Sequence, residues 1–306
     1  MALTLTEAEK LSTDVLLQGI IETIIKDSPI LQRLPFVQIV GNSLQYTQEK
    51  ALPTGDFYDV GDVWAESTPT FTKLEATLKI LGGDADVDNY LQSTRSNIND
   101  LETAVIELKA KALRHEFENQ FLYGNAATNS KQFRGIIKLI DTATASAQLI
   151  AAGATGATLT LAMLDQLIDA VLGGKPELLL MSKRSRRKIA ALARAAGNNL
   201  QVGEGLLGEV VEFYNGIPIG VTDWQADIHT LTSSLESAYT GGACSTIYAL
   251  TFGEGALCGL SSPEMIQAER LGPLETKDAS RTRIKWYVSL ALFSSVRAAA
   301  LIGVKD

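Results

Sequence analysis

Apolar residues recur along this chain with two periods, and the changes of period divide it. Between Thr6 and Asp27, Leu11, Val15, Leu16, Ile20, Ile24 and Ile25 fall at helical intervals. Thr6 and Glu9 have the spacing of a capping box, so the pattern predicts an amphipathic helix that ends before Pro29. Its apolar stripe has to be covered by the body of the chain or by a neighbour. From Gln38 to Leu81 the period falls to two. Thr72, Leu74, Ala76, Leu78 and Ile80 alternate with Phe71, Lys73, Glu75, Thr77 and Lys79, which predicts one strand with an apolar and a polar face. A polar, strand-like run from Ser43 to Ala51 precedes it, and Pro53, Gly55, Gly61 and Pro69 punctuate the loop between. The two runs form a long arm. An isolated hairpin is marginal in water and leaves its edges open, so such an arm is expected to lie on another subunit.

The strongest helix signal follows, with Asn99 as N-cap, Glu102 three residues on and Gly124 after the last turn. Ile98, Leu101, Val105, Leu108 and Ala112 form its apolar stripe, which drifts to Leu113, Phe117 and Phe121. Beyond the small-residue tract Thr142 to Gly156, helix and strand alternate: Leu161 to Leu172 helical, Glu177 to Met181 a buried strand, Lys183 to Ala196 helical. Val210 to Tyr214 runs into Asn215-Gly216, the strongest short turn signal, and returns through Ile217 to Val221. Strands recur at Thr246 to Phe252, Met265 to Arg270 and Arg283 to Leu292. The class is α+β, with a compact middle and an elongated region drawn from both halves of the chain.

Composition narrows what such a chain does. Its 306 residues carry 27 basic and 35 acidic side chains, a net charge of −8, and 46% are hydrophobic. That length buries a large core, and two Cys exclude a disulfide scaffold. The acidic balance argues against a protein whose main task is gripping duplex phosphates. The longest apolar runs, Leu178 to Met181 and Val288 to Phe293, are strand-sized, and Glu7 and Glu9 stand where a signal peptide is basic. A reducing, cytosol-like compartment is expected.

Candidate chemistry is sparse. Gly203-Glu204-Gly205-Leu206-Leu207-Gly208 matches the dinucleotide fingerprint, yet a helix precedes it and a strand follows, the reverse of what that motif requires. Asp84, Asp86 and Asp88 begin like a calcium loop, but Asn89 replaces the Gly and Arg95 the bidentate Glu, so they read as solvated turn acids. His115 and His229 have no partner at metal-ligand spacing, and Cys244 and Cys258 read as small buried side chains. No catalytic residue, metal set or cofactor is assigned. One charge block stands out: Lys183, Arg184, Arg186, Arg187 and Lys188, with Arg194 beyond, occur without an acid between Glu177 and Glu204. It is either a solvated helix face or a face for phosphate or an acidic partner, and no aromatic residues interleave to stack bases.

Read together, these features resemble the major capsid proteins of tailed phages, whose fold is named after phage Hong Kong ninety-seven. The resemblance is carried by Leu101 to Gly124 running through Asn125 to Gly135-Ile136, by Glu177 to Ser182 and its helix, by Tyr214-Asn-Gly-Ile-Pro218, and by Lys285-Trp-Tyr287 to Leu301. Ser28-Pro-Ile-Leu and the stretch from Gly41 through Pro69-Thr-Phe71 resemble one branch of that family. It implies an N-terminal arm at 1–40, an extended loop at 41–80, a peripheral domain at 81–130 and 257–306 including a loop at 271–283, and an axial domain at 131–256. Asn99 to Tyr123 would be the spine helix. Only about forty residues precede the extended loop, so no removable scaffolding segment is expected.

The function implied is a self-assembling, non-enzymatic subunit of an icosahedral shell of pentamers and hexamers. Its partners would be itself, a portal, a separate scaffolding or decoration protein, and packaged DNA bound without sequence specificity, with no membrane. It would reside in the virion after assembly in the host cytoplasm. Candidate assembly contacts are Ile20, Ile24, Tyr46, Lys50, Phe57, Tyr58, Trp64 and Phe71, with the basic helix as a second candidate surface. An encapsulin shell enclosing enzymes shares the fold and is the related alternative. A nucleotide-using α/β enzyme built on the Gly203 to Gly208 loop is the alternative from another class.

Overall fold

The computed structural model describes residues 28–51, 55–64, 66–68, 70–90, 93, 101–143, 148–153, 156–197, 200–204, 210–222 and 244–305. The helix expected before Asp27, with Ile20 and Ile24, lies outside the described residues, as do the cap at Asn99 and His229. In the first third of the chain lie β1 (Phe36–Gln38), β2 (Ser43–Ala51), β3 (Thr70–Thr77), β4 (Lys79–Asp88) and α1 (Leu101–Tyr123). The middle holds α2 (Ile136–Ala143), β5 (Leu149–Ala151), β6 (Ala157–Thr158), α3 (Leu161–Asp169), β7 (Leu178–Met181) and α4 (Lys183–Ala195). Then come β8 (Gln201–Glu204), β9 (Val210–Tyr214), β10 (Ile217–Val221) and β11 (Ser245–Leu250). The chain closes with β12 (Leu257–Pro273), β13 (Ala279–Leu292) and β14 (Ala298–Lys305).

Three sheets result. An elongated sheet has the order β1-β12-β13-β4, and a second has β5-β14-β11-β7-β10-β9-β8 with β6 also on β14. β2 and β3 pair only with each other, as the hairpin of the arm. The second sheet is covered on both faces, which is why its strands read as unbroken apolar runs. Leu178 and Leu180 of β7, Tyr248 and Leu250 of β11, and Ala300 and Ile302 of β14 face a core shared with α1 and α2. The alternate residues, Leu179 and Met181, Ile247 and Ala249, Ala299 and Leu301, face a second core with α3 and α4. The period of two thus sorts neighbouring side chains into different cores.

The first core continues beneath the elongated sheet, where Phe117 of α1 stacks on Trp286 of β13 with ring centroids 4.9 Å apart and meets Phe36, Phe121 and Phe133 at about 6 Å. Phe117 and Phe121, both fully buried, each stabilise the fold by roughly 1.5–3 kcal/mol. β1 lies close enough for the Phe36 ring to sit over Gly259, whose missing side chain makes the room: a Cβ there would come within 2.4 Å of the ring. The Asn215-Gly216 turn has φ of 51° and 78°, the pair of positive values that joins two strands in two residues.

The structure corrects several expectations. The single strand expected over 72–80 is two, broken at Leu78; the new strand begins at Lys79, and its Ile80 side chain is exposed. On α1 the buried stripe is Ile106, Ala110, Leu113, Phe117 and Phe121, while Leu108 and Ala112 face outward. Helix packing chose the face that carries the aromatic residues. The loop expected over 271–283 narrows to 274–278, because β12 and β13 stay paired to Pro273 and Ser280. The three aspartates are not turn acids: Asp84, Asp86 and Asp88 alternate along β4, against β13.

Candidate assembly surface

The arm is rooted on its own subunit and bare at its tip. β2 and β3 pair from Ser43 with Thr77 to Ala51 with Thr70, so Leu44, Tyr46, Leu74 and Ala76 share one face. That face packs on Ile39, Cys258, Leu260 and Ala291, and the Tyr46 ring meets Phe293 edge-on at 5.0 Å. Burial pushes the Tyr46 phenol above its ordinary pKa, with the Leu292 carbonyl and Arg134 acting in the opposite sense. Tyr46 was a candidate assembly contact; it is instead a root residue of the arm, enclosed within the chain. Gln48, also buried, donates its side-chain amide to the Leu292 carbonyl and fixes the arm to the end of β13. Nothing in the sequence pattern singles out Gln48, since a glutamine on a polar strand reads as solvated.

Past the root the character reverses. The Asp59 N–H donates to the Asp62 carboxylate and the Val60 N–H to the Asp59 carboxylate, both at 2.7 Å, which folds residues 59–62 into a tight turn. Tyr58 and Trp64 on either side of it stack at 4.7 Å. This turn holds Phe57, Val60 and Val63 fully in solvent, with Trp64 77% and Phe71 62% exposed. Phe57, Tyr58, Trp64 and Phe71 are therefore brought to one end of the arm. The Lys50 side chain lies outside the described residues. A cluster of large apolar groups in water is the signature of a surface that another chain covers.

Away from the root, toward the far end of the ladder, ion pairs tie β4 to β13. Arg283 grips Asp84 through two bonds of 2.7 and 2.9 Å, and Arg281 grips Asp86 at 2.6 and 2.7 Å. These forks hold both aspartates below the usual carboxylate pKa and occupy the oxygens a calcium ion would need. Sequence reading missed the partners because they lie about 200 residues away on β13. Among the described residues no group of three or more metal-ligating side chains occurs, and no helix is long and apolar enough to cross a membrane.

The basic block lies on α4, which Ser182 caps by accepting from the Ser185 N–H at 3.2 Å. Ser185, Ile189 and Ala193 face the core, which leaves Lys183, Arg184, Arg186, Arg187 and Lys188 toward the outside. Arg186 pairs with Glu212 of β9 at 2.9 Å. Four cations in the first turns of a helix oppose its dipole, so their placement there costs stability in the isolated subunit. Of the Gly203 to Gly208 loop, Gly203 and Glu204 belong to β8, paired with β9, and 205–208 lie outside the described residues.

Comparison with known proteins agrees with this architecture. The holo-SrpI encapsulin complex from Synechococcus elongatus PCC 7942 superposes with a TM-score of 0.67 at 16% identity, covering 91% of this chain and 89% of that one. The capsid of a native GTA particle gives 0.63 at 15%, covering 92% and 91%. A structure from Mycobacterium phage Bobi gives 0.59 at 14%, covering 91% of each. No curated protein matches the sequence. The fold is thus the Hong Kong ninety-seven type shared by phage capsids and encapsulins. A sequence model of the phage capsid family matches residues 12–241, and the chain belongs to that family of capsid shell proteins.

Proposed function

We propose that this chain is the major subunit of the icosahedral head of a tailed phage, self-assembled from pentamers and hexamers around double-stranded DNA. The observation that carries the reading is the arm, packed at its root and tipped with exposed Phe57, Val60, Val63 and Trp64. Each subunit lays its tip on a neighbour, and closed symmetry repeats that contact around the shell. The arm at 41–80, the peripheral domain at 81–130 with 257–306, and the axial domain at 131–256 take the roles their family counterparts suggest. Residues 1–40 form the N-terminal arm. With a net charge of −8 the shell contains DNA rather than gripping it, and a portal and a separate scaffolding or decoration protein complete the particle.

The test is electron microscopy of the purified chain with nuclease-protected content measured in parallel. Closed shells are expected, with DNA inside when they are recovered from the native source. Particles near 33 kDa at every concentration would overturn the reading. The encapsulin alternative is favoured by one observation, the higher TM-score to the SrpI encapsulin complex. Shells from the native source that hold a protein cargo and no protected DNA would decide for it.

A further inference from the structure

An open groove of about 820 Å³ runs between α4 and the β8-β9-β10 edge of the second sheet. Its floor is apolar, with Val202, Val211, Ile219 and Val221, and its rim carries Lys183, Arg187 and the Arg186–Glu212 pair. Val202 and Val210 are 64% and 82% exposed, an unusual position for β-branched residues on a sheet. At one end of the groove stands the point where the described chain begins. Ser28 is fully buried, and Pro29 and Gln32 line the groove. Pro29 rests against β10: a Cβ on Gly220 would come within 3.2 Å of its own Cβ. The turn that follows is firmly held, with the Leu31 N–H on the Ser28 hydroxyl and Ile30, Leu31 and Leu34 in the first core. Whatever precedes Ser28 therefore leaves from the lip of the groove.

The preceding segment has the matching chemistry. Residues 1–27 carry five acids, Glu7, Glu9, Asp14, Glu22 and Asp27, against Lys10 and Lys26. Leu16, Ile20 and Ile24 recur at the i, i+4, i+8 spacing of one helix face. We propose that residues 1–27 dock in this groove of their own subunit as an amphipathic helix, with that face on the valine floor and the acids toward Lys183 and Arg187. Docking brings further acids beside the cationic first turns of α4, and it covers Val202 and Val210. Attachment at Ser28 gives the segment an effective concentration in the millimolar range, which favours its own groove over a neighbour's. The docking holds whether or not shells close.

Cysteine pairing in the full chain tests it, on a background with Cys244→Ala and Cys258→Ala. Ile24→Cys with Val211→Cys, and independently Ile20→Cys with Val202→Cys, are oxidised in unassembled subunits, half of them isotope-labelled. Mass spectrometry of the linked peptides then reports which chains joined. Efficient linkage between peptides of equal label is expected, well above a control pair of Ile24→Cys with the exposed Glu264→Cys. Adding Lys183→Glu and Arg187→Glu should lower the yield about threefold or more at 0.05 M salt and much less at 1 M, where the Debye length is ~3 Å. Yields no higher than the control for both pairs overturn the proposal, and mixed-label peptides overturn it in favour of a neighbouring copy. Because the measurement uses unassembled subunits, its failure is separate from any failure to form shells.

Discussion

Replacing Phe57 and Val63 together by Ser removes two of the largest exposed apolar groups of the arm tip and leaves the Asp59 to Asp62 turn and the Tyr58–Trp64 stack in place. Both side chains are essentially free in the subunit, so they contribute almost nothing to its own stability. If a neighbour covers each by half, the loss is about half of the ~1.5–3 kcal/mol for full burial, or roughly 1.5–3 kcal/mol per subunit for the pair. At about 1.4 kcal/mol per factor of ten, the protein concentration at which shells appear should rise roughly 10- to 150-fold. Light scattering across a dilution series reads that threshold, and the urea midpoint of the unassembled subunit serves as control. An unchanged threshold would refute the reasoning outright. A lowered urea midpoint would refute it differently, by placing the tip against its own chain.

Two other substitutions probe the body. Burial raises the Glu118 carboxyl above its usual value of 4.5, despite bonds from Ser28 and Thr222 and the nearby Arg114 and His115. The folded state therefore holds this proton more tightly than the unfolded chain, and the stability this confers is present in acid and lost as pH rises through the raised value. Glu118→Gln should raise the urea midpoint at pH 7, with a gain that shrinks toward pH 4. Gly259→Ala should cost about 1–3 kcal/mol by forcing the Phe36 ring away from β12, whereas Gly255→Ala, with open space around it, should stay within about 0.5 kcal/mol. Chemical denaturation of both variants checks the contrast.

Local features were legible in the sequence where one short stretch decides them. Asn215-Gly216 states its turn outright, the run Leu178 to Met181 states a strand covered on both sides, and the α1 helix ends where Gly124 says it should. The failures share a cause in long-range partnership. Asp84 and Asp86 look like solvated acids until Arg283 and Arg281 arrive from far along the chain. The stripe on α1 is right at Leu113, Phe117 and Phe121 but takes Leu108 and Ala112 in place of Ile106 and Ala110, because Leu108 and Ile106 are equally apolar and only the sheet beneath decides between them. Of the arm, the aromatic residues were readable as candidates, but the line between root and tip was not. Tyr46 rests on the body of its own chain at Phe293, whereas Tyr58 stacks on Trp64 within the tip.

The β4–β13 pairing also sets a clock. Asp88 lies opposite Ala279, so about 190 residues separate the partners, and synthesis at ~5–20 residues per second spaces their emergence by about 10–40 s. Through that interval the β2 and β3 segments lack Leu292 to hold Gln48 and Phe293 to seat Tyr46. A nascent chain therefore displays apolar tip residues on an unanchored arm, and crowded polysomes hold many such arms side by side. The long pairing keeps the arm's orientation undefined until β13 is made, so the geometry needed to join a shell is acquired only as translation nears its end.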